Sequence, residues 1–211
     1  MSEKKIIENT DRMVKNGHRA GVIWLTGLSG AGKSTIAYNL EKELFAHNVM
    51  TYVLDGDILR AGLSSDLGYT MNDRLEHLRR TKEVVKLFYD AGFIVIGAFI
   101  SPLASIRQDF KESFKDGDFL EVFVDCPLEE CEKRDPKGLY ARFRQGEILD
   151  FTGISSSYEK PLDPEIHIKT NELLVEECVG KIIKYLIERE IIYPKIRKYI
   201  RSSGIKIEKY V

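Results

Sequence analysis

Apolar residues gather in five short runs along the chain, and between the runs their spacing changes to that of helices. The runs are VIWLT (22–26), TYVLD (51–55), FIVIGAF (93–99), LEVFVD (120–125) and IHIK (166–169). The first and third are almost continuously apolar, the pattern of a strand covered on both faces. Ile36, Ala37, Leu40 and Leu44 recur at helical spacing and predict a helix over 33–46. Leu75, Leu78, Val84, Val85 and Phe88 predict another over 73–91, with Gly92 as the glycine that closes it. Further helices are expected at 4–16, 103–114, 138–147 and 172–189, with a short one in CPLEECEKR after the fourth run. Strands alternating with helices predict an α/β fold: a mostly parallel five-stranded sheet with helices on both faces.

In such sheets ligands sit beyond the carboxyl ends of the strands. Four segments fall there: 27–35, 55–60, 101–102 and 125–127. The expected organisation is a helical N-terminal extension over 1–20, one domain over 21–189 with a lid near 134–153, and a C-terminal extension over 190–211. The extension is basic, with alternating apolar residues; a packed or frayed tail and a subunit contact both fit it.

Composition narrows the class. The 211 residues suit a single domain, and 43% hydrophobic with 31% charged is ordinary for a globular protein with a core. The net charge of -1 gives no basic field for nucleic acid. Cys126, Cys131 and Cys178 form no CxxC pair, and their odd number argues against a disulfide framework. The polar N-terminus lacks the apolar core of a signal peptide, and the longest apolar run, 93–100, is too short to cross a bilayer. A cytoplasmic protein, with no membrane and no nucleic-acid partner, is expected. No internal repeat or low-complexity segment is present.

GLSGAGKST (27–35) follows the first run and opens the first helix. It fits G-x-x-x-x-G-K-[ST] through Gly27, Gly32, Lys33 and Ser34, with Gly30 between. Glycines let the backbone approach phosphates, and successive N–H groups of Ser29, Gly30, Ala31, Gly32 and Thr35 form an anion nest at a helix N-terminus. Lys33 reaches the β- and γ-phosphates, and the Ser34 hydroxyl binds magnesium. A plain glycine turn would not need the whole pattern in this strand–loop–helix context. The loop implies ATP with Mg2+; no NKxD-type guanine motif occurs, which counts against a GTPase.

Other segments address the phosphate's destination. Asp55 and Asp57 in LDGDILR can accept the proton of an attacking hydroxyl or hold a magnesium water, but aspartate before a helix is also a common N-cap. Arg60, Arg74, Arg79 and Arg80 are either solvated surface charge or ligands of an anionic substrate. Tyr69 offers an aromatic face for a base. RDPKGLYARFRQGEI (134–148) is either a lid that excludes water or a solvated helix.

GLSGAGKSTIA, LDGD, DLGY, KLFYDAG, FISP, DPKGLY and FTGISSSYE, in this order, closely resemble the adenylylsulfate kinase family over roughly residues 20–188. The resemblance implies the three-layer P-loop kinase fold and transfer of the ATP γ-phosphate to the ribose 3′-hydroxyl of adenylyl sulfate. It implies Asp57 as the residue facing that hydroxyl, with Lys33 beside it, and Arg60 and Arg74 as ligands of the phosphosulfate. Tyr69 and Phe151 would sandwich the adenine. Lys137 and Leu139 would be further substrate contacts, and Arg134 would stand with the ATP-binding residues. Ser101 matches the serine described in the family as a phosphoserine intermediate; in-line transfer needs none, and a helix cap or a substrate contact explains it equally well. A homodimer and a sulfurylase acting in the same pathway are implied as partners. Three positions depart from the family pattern: Ile58 and His77 where asparagine is usual, and Leu103 where an aromatic is usual. His77 lies one helical turn from Arg74, so both are expected to face the substrate. The departures keep open a relative that phosphorylates the ribose of another nucleotide anhydride. A nucleotide-binding subunit without turnover is the non-enzymatic alternative.

Overall fold

The computed structural model describes residues 7–193, and each of the five apolar runs is a strand of one sheet. The strands are β1 (Gly21–Thr26), β2 (Thr51–Asp55), β3 (Ile94–Ala98), β4 (Phe119–Asp125) and β5 (Ile166–Lys169). They lie in the order β2-β3-β1-β4-β5, and every pairing is parallel, so the sheet is wholly rather than mostly parallel. Trp24 of β1 sits opposite Gly97 of β3 and Glu121 of β4.

The helices are α1 (Asn9–Asn16), α2 (Lys33–Ala46), α3 (Gly56–Ala61), α4 (Met71–Asp90), α5 (Ala104–Lys111), α6 (Leu128–Arg134), α7 (Leu139–Arg144) and α8 (Val175–Glu188). Side chains of β1 alternate between two cores, as the strand period requires. Ile23 and Leu25 join Ile36, Leu40, Ile182 and Leu186 on the side of α2 and α8. Val22 and Trp24 join Leu78, Val85 and Phe110 on the side of α4 and α5. Trp24 is fully buried and stacks on Phe99, with ring centroids 4.6 Å apart. Gly97 makes room for it: a Cβ there would stand 2.4 Å from the indole Cε3.

Two differences from the sequence expectation have simple causes. The helix α3 begins within the segment 55–60, and its six residues are too few to show a period; Asp55 caps it by accepting from the Asp57 N–H at 2.9 Å. The long helix α4 starts at Met71, because Thr70 and Asp73 form a reciprocal capping box. At the chain ends, the Asn16 amide donates to the Gly92 carbonyl at 3.0 Å, tying α1 to the end of α4. Ile191 and Ile192 are buried, so the C-terminal extension is packed as far as 192, and Tyr193 is exposed; the residues after 193, and the first six, lie outside the described residues. No helix among the described residues is long and apolar enough to cross a membrane.

Candidate active site

The loop between β1 and α2 is pressed onto the backbone of its neighbours. A Cβ at Gly27 would lie 2.3 Å from the Val124 carbonyl oxygen, and one at Gly30 would lie 2.8 Å from that of Cys131. Gly30 (φ 74°) and Gly32 (φ 99°) also need backbone angles that side chains disfavour. The far side of the loop is tied down by hydrogen bonds. Tyr140 O–H donates to the Ser29 carbonyl at 3.0 Å, and Thr170 O–H donates to the Ala31 carbonyl at 2.9 Å. Lys33 Nζ donates to the carbonyls of Gly27 (3.0 Å) and Leu28 (2.7 Å). Burial, and then the charge of Lys137, push the Lys33 ammonium down to about 8. Thr35 is exposed on the first turn of α2.

A polar chain runs from this loop to the end of β2. Ser34 O–H donates to Asp55 Oδ2 at 2.6 Å. The other oxygen of Asp55 caps α3, so Asp55 is the N-cap and Asp57 lies free of that duty in the first turn. Asp57 is exposed and pairs with Lys137, which arrives from the turn between α6 and α7. Lys33, Ser34, Asp57 and Lys137 therefore meet at the carboxyl ends of β1 and β2.

The arginines do not behave alike. The Arg60 guanidinium lies 4.6 Å from the centroid of the Tyr69 ring and donates to the Gly68 carbonyl at 2.8 Å. Arg74 donates to the Tyr69 carbonyl (2.9 Å), the Thr152 hydroxyl (3.0 Å) and the Asp150 carbonyl (2.9 Å). It thus staples the Tyr69 segment to residues on either side of Phe151. Phe151 is buried against Tyr140 and Phe143, at centroid distances of 4.7 and 5.6 Å, and Leu139 packs on the same cluster. Arg79 and Arg80 pair with Glu76, and Arg80 also with Asp66, so both are structural or surface charges. Arg134 holds Thr170 through its hydroxyl (3.1 Å) and carbonyl (2.9 Å).

Two of the expected substrate contacts are buried. His77 does share a helical face with Arg74, but its short side chain turns inward. It is 4% exposed, Nδ1 lies 3.0 Å from the Ser64 hydroxyl, and burial, then Arg60, push the imidazole down to about 4. Ser101 is 2% exposed, and its hydroxyl accepts the Trp24 indole N–H at 3.0 Å. It does not cap α5, whose N-cap is Leu103. Neither side chain is presented to a substrate in this arrangement. Sequence reasoning missed Thr170, Tyr140 and Thr152. Thr170 directly follows β5, so the rule about strand carboxyl ends would have found it; Tyr140 and Thr152 lie inside DPKGLY and FTGISSSYE, two of the segments that carry the resemblance.

A nucleotide loop at the end of β1, with a carboxylate beside it at the end of β2, on a parallel sheet flanked by helices, defines a P-loop kinase. A model of the adenylylsulphate kinase family matches residues 19–169. The adenylyl-sulfate kinase of Staphylococcus haemolyticus is 53% identical over 186 residues, covering 88% of this chain and 94% of that protein. That of Acaryochloris marina is 49% identical over 191 residues, covering 90% and 93%. Among solved structures, the Mycobacterium tuberculosis APS kinase CysC in complex with AMPPNP and APS has a TM-score of 0.76 and 46% identity, covering 80% of this chain and 98% of that one. The chain belongs to the adenylylsulphate kinase family.

Proposed function

We propose that this protein transfers the γ-phosphate of ATP to the ribose 3′-hydroxyl of adenylyl sulfate, giving ADP and 3′-phosphoadenylyl sulfate. The observation that carries the reading is the continuous polar path from the phosphate loop through Ser34 and Asp55 to Asp57 and Lys137. In-line transfer requires a phosphate donor and an oxygen nucleophile held side by side, with a base at the nucleophile. The loop N–H groups and Lys33 hold the β- and γ-phosphates. Asp57, paired with Lys137, accepts the hydroxyl proton as the oxygen attacks.

Arg60 and Arg74 bind the phosphosulfate, and Lys137 and Leu139 add contacts from the lid. Tyr69 and Phe151 flank the adenine of the acceptor. Arg134, with Thr170, borders the ATP side. Among the described residues no cluster of three or more His, Cys, Asp or Glu is placed for a metal. A magnesium ion bound mainly by phosphate oxygens and the Ser34 hydroxyl fits that pattern, with Asp55 close enough to hold its water. The ion would neutralise charge on the transferred phosphate. The reading includes a cytoplasmic homodimer supplied with adenylyl sulfate by a separate sulfurylase.

The test is ADP release with ATP, magnesium and adenylyl sulfate, beside a panel of other nucleotide anhydrides. Saturation by adenylyl sulfate at micromolar concentration is expected. Ile58, 62% exposed and next to Asp57, favours a second reading in which the acceptor differs. Turnover of another panel member with little of adenylyl sulfate would establish that reading.

A further inference from the structure

Arg107 of α5 is 4% exposed and makes three directional contacts. Nε pairs with Glu121 of β4 at 2.5 Å, Nη1 donates to the Ser101 carbonyl at 2.8 Å, and Nη2 donates to the Glu159 carbonyl at 2.7 Å. Its guanidinium also lies 5.8 Å from the centroid of the Tyr158 ring. A single ion pair would satisfy the charge. The remaining two bonds join two loops, one after β3 and one at the end of the lid.

Both loops need holding. Ser101 is a non-glycine residue at φ 37°, a backbone angle that side chains disfavour. The stretch 158–159 is where the chain leaving the lid rejoins the body. There the Tyr158 hydroxyl meets the Thr26 hydroxyl at 2.9 Å, directly before the phosphate loop. The Glu159 N–H donates to the Pro102 carbonyl at 2.9 Å, and its carboxylate accepts the Ala104 N–H at 2.6 Å. The other end of the lid is anchored differently, by Arg134 on Thr170 beside the phosphate loop.

We infer that Arg107 is a positioning residue for the acceptor half of the site. It locks the lid's C-terminal limb, with Phe151 and Thr152, onto the Ser101 turn, while the ATP half is set by the other anchor. The inference rests on the acceptor assignment above. A buried ion pair that served stability alone would affect both substrates equally; this arrangement affects them unequally.

The experiment compares the full-length protein with Arg107→Lys and Tyr158→Phe. Lysine can keep the Glu121 pair but is a point donor without the planar fork that reaches both carbonyls. The KM for adenylyl sulfate is expected to rise about tenfold in Arg107→Lys, the change that ~1.4 kcal/mol of lost positioning produces. The KM for ATP should stay within about twofold, because the phosphate loop's own anchors, Tyr140 on Ser29 and Thr170 on Ala31, do not involve Arg107. Trypsin should cut at the lid residues Arg142 and Arg144 faster than in the wild type. Tyr158→Phe removes the Thr26 contact from the same limb and is expected to speed lid cleavage by a smaller factor; that readout also serves if Arg107→Lys fails to fold. Equal rises in both KM values, or no change in either with unchanged cleavage, would overturn the inference. If the wild type does not turn over adenylyl sulfate, the proposed function falls instead. The lid cleavage rates then decide alone: faster cutting in the variants upholds the anchor, and unchanged cutting overturns it.

Discussion

Lys33→Met gives a prediction with opposite signs in two assays. The ammonium is buried and pushed from its usual 10.5 to about 8, chiefly by loss of solvent. That displacement corresponds to ~3 kcal/mol against the charged form at neutral pH. The folded chain binds this proton more weakly than the unfolded chain does, so the penalty is complete below about pH 8 and disappears as pH rises to 10.5. Methionine removes the charge at similar volume but costs the Gly27 carbonyl its side-chain donor and leaves the Leu28 carbonyl with the Ala31 N–H alone. Those losses are about 1 kcal/mol each, so the variant alone should be more stable by ~1 kcal/mol, or ~2–4 °C in Tm at pH 7. The advantage should shrink between pH 8 and 10.5, where the wild-type ammonium deprotonates in the fold. ATP at about a hundredfold over its Kd should stabilise the wild type by ~2.7 kcal/mol and the variant hardly at all. Turnover should be lost. Thermal unfolding across pH, with and without ATP, reads all of this. A variant much less stable than wild type at pH 7, or one that keeps the ATP shift, would refute the reasoning.

Three further outcomes are expected. Asp57→Asn should lower kcat by ~10²–10⁴ while leaving the acceptor KM nearly unchanged in steady-state kinetics; a change confined to KM would make it a ligand only. Ser101→Ala should keep activity close to wild type but lose about 1–3 kcal/mol in denaturant unfolding, because the buried Trp24 N–H loses its acceptor. A large loss of activity with intact stability would return the hydroxyl to the chemistry. His77→Asn should flatten the acid limb of stability. The imidazole sits at about 4 in the fold, so wild-type stability falls as pH drops from 6.5 towards 4, and an amide carries no such dependence. Parallel acid denaturation of the two proteins would contradict this.

The phosphate loop was legible because its chemistry is local: glycine spacing, a following helix and a lysine determine where the backbone N–H groups point. The five strands were legible because each apolar run is short and bounded by polar or turn residues. The remainder depended on contacts between distant residues. Lys137 meets Asp57 across a separation of 80 residues, and no spacing rule encodes that. Helical periodicity rightly put His77 and Arg74 on one face of α4. Side-chain length then divided them: arginine reaches out to residues 150–152, while imidazole fits inward against Ser64. Ser101 was placed correctly after β3, but only the packed structure shows Trp24 behind it. Arg107 carries no local signal: it is buried where it pairs with Glu121 on β4.

The most direct test of the account is to identify the product formed from ATP and adenylyl sulfate by phosphorus NMR. The account predicts one new phosphomonoester on the 3′-oxygen, the sulfate anhydride intact, and ADP in equal amount. ADP accompanied by inorganic phosphate, or no ADP, would contradict it.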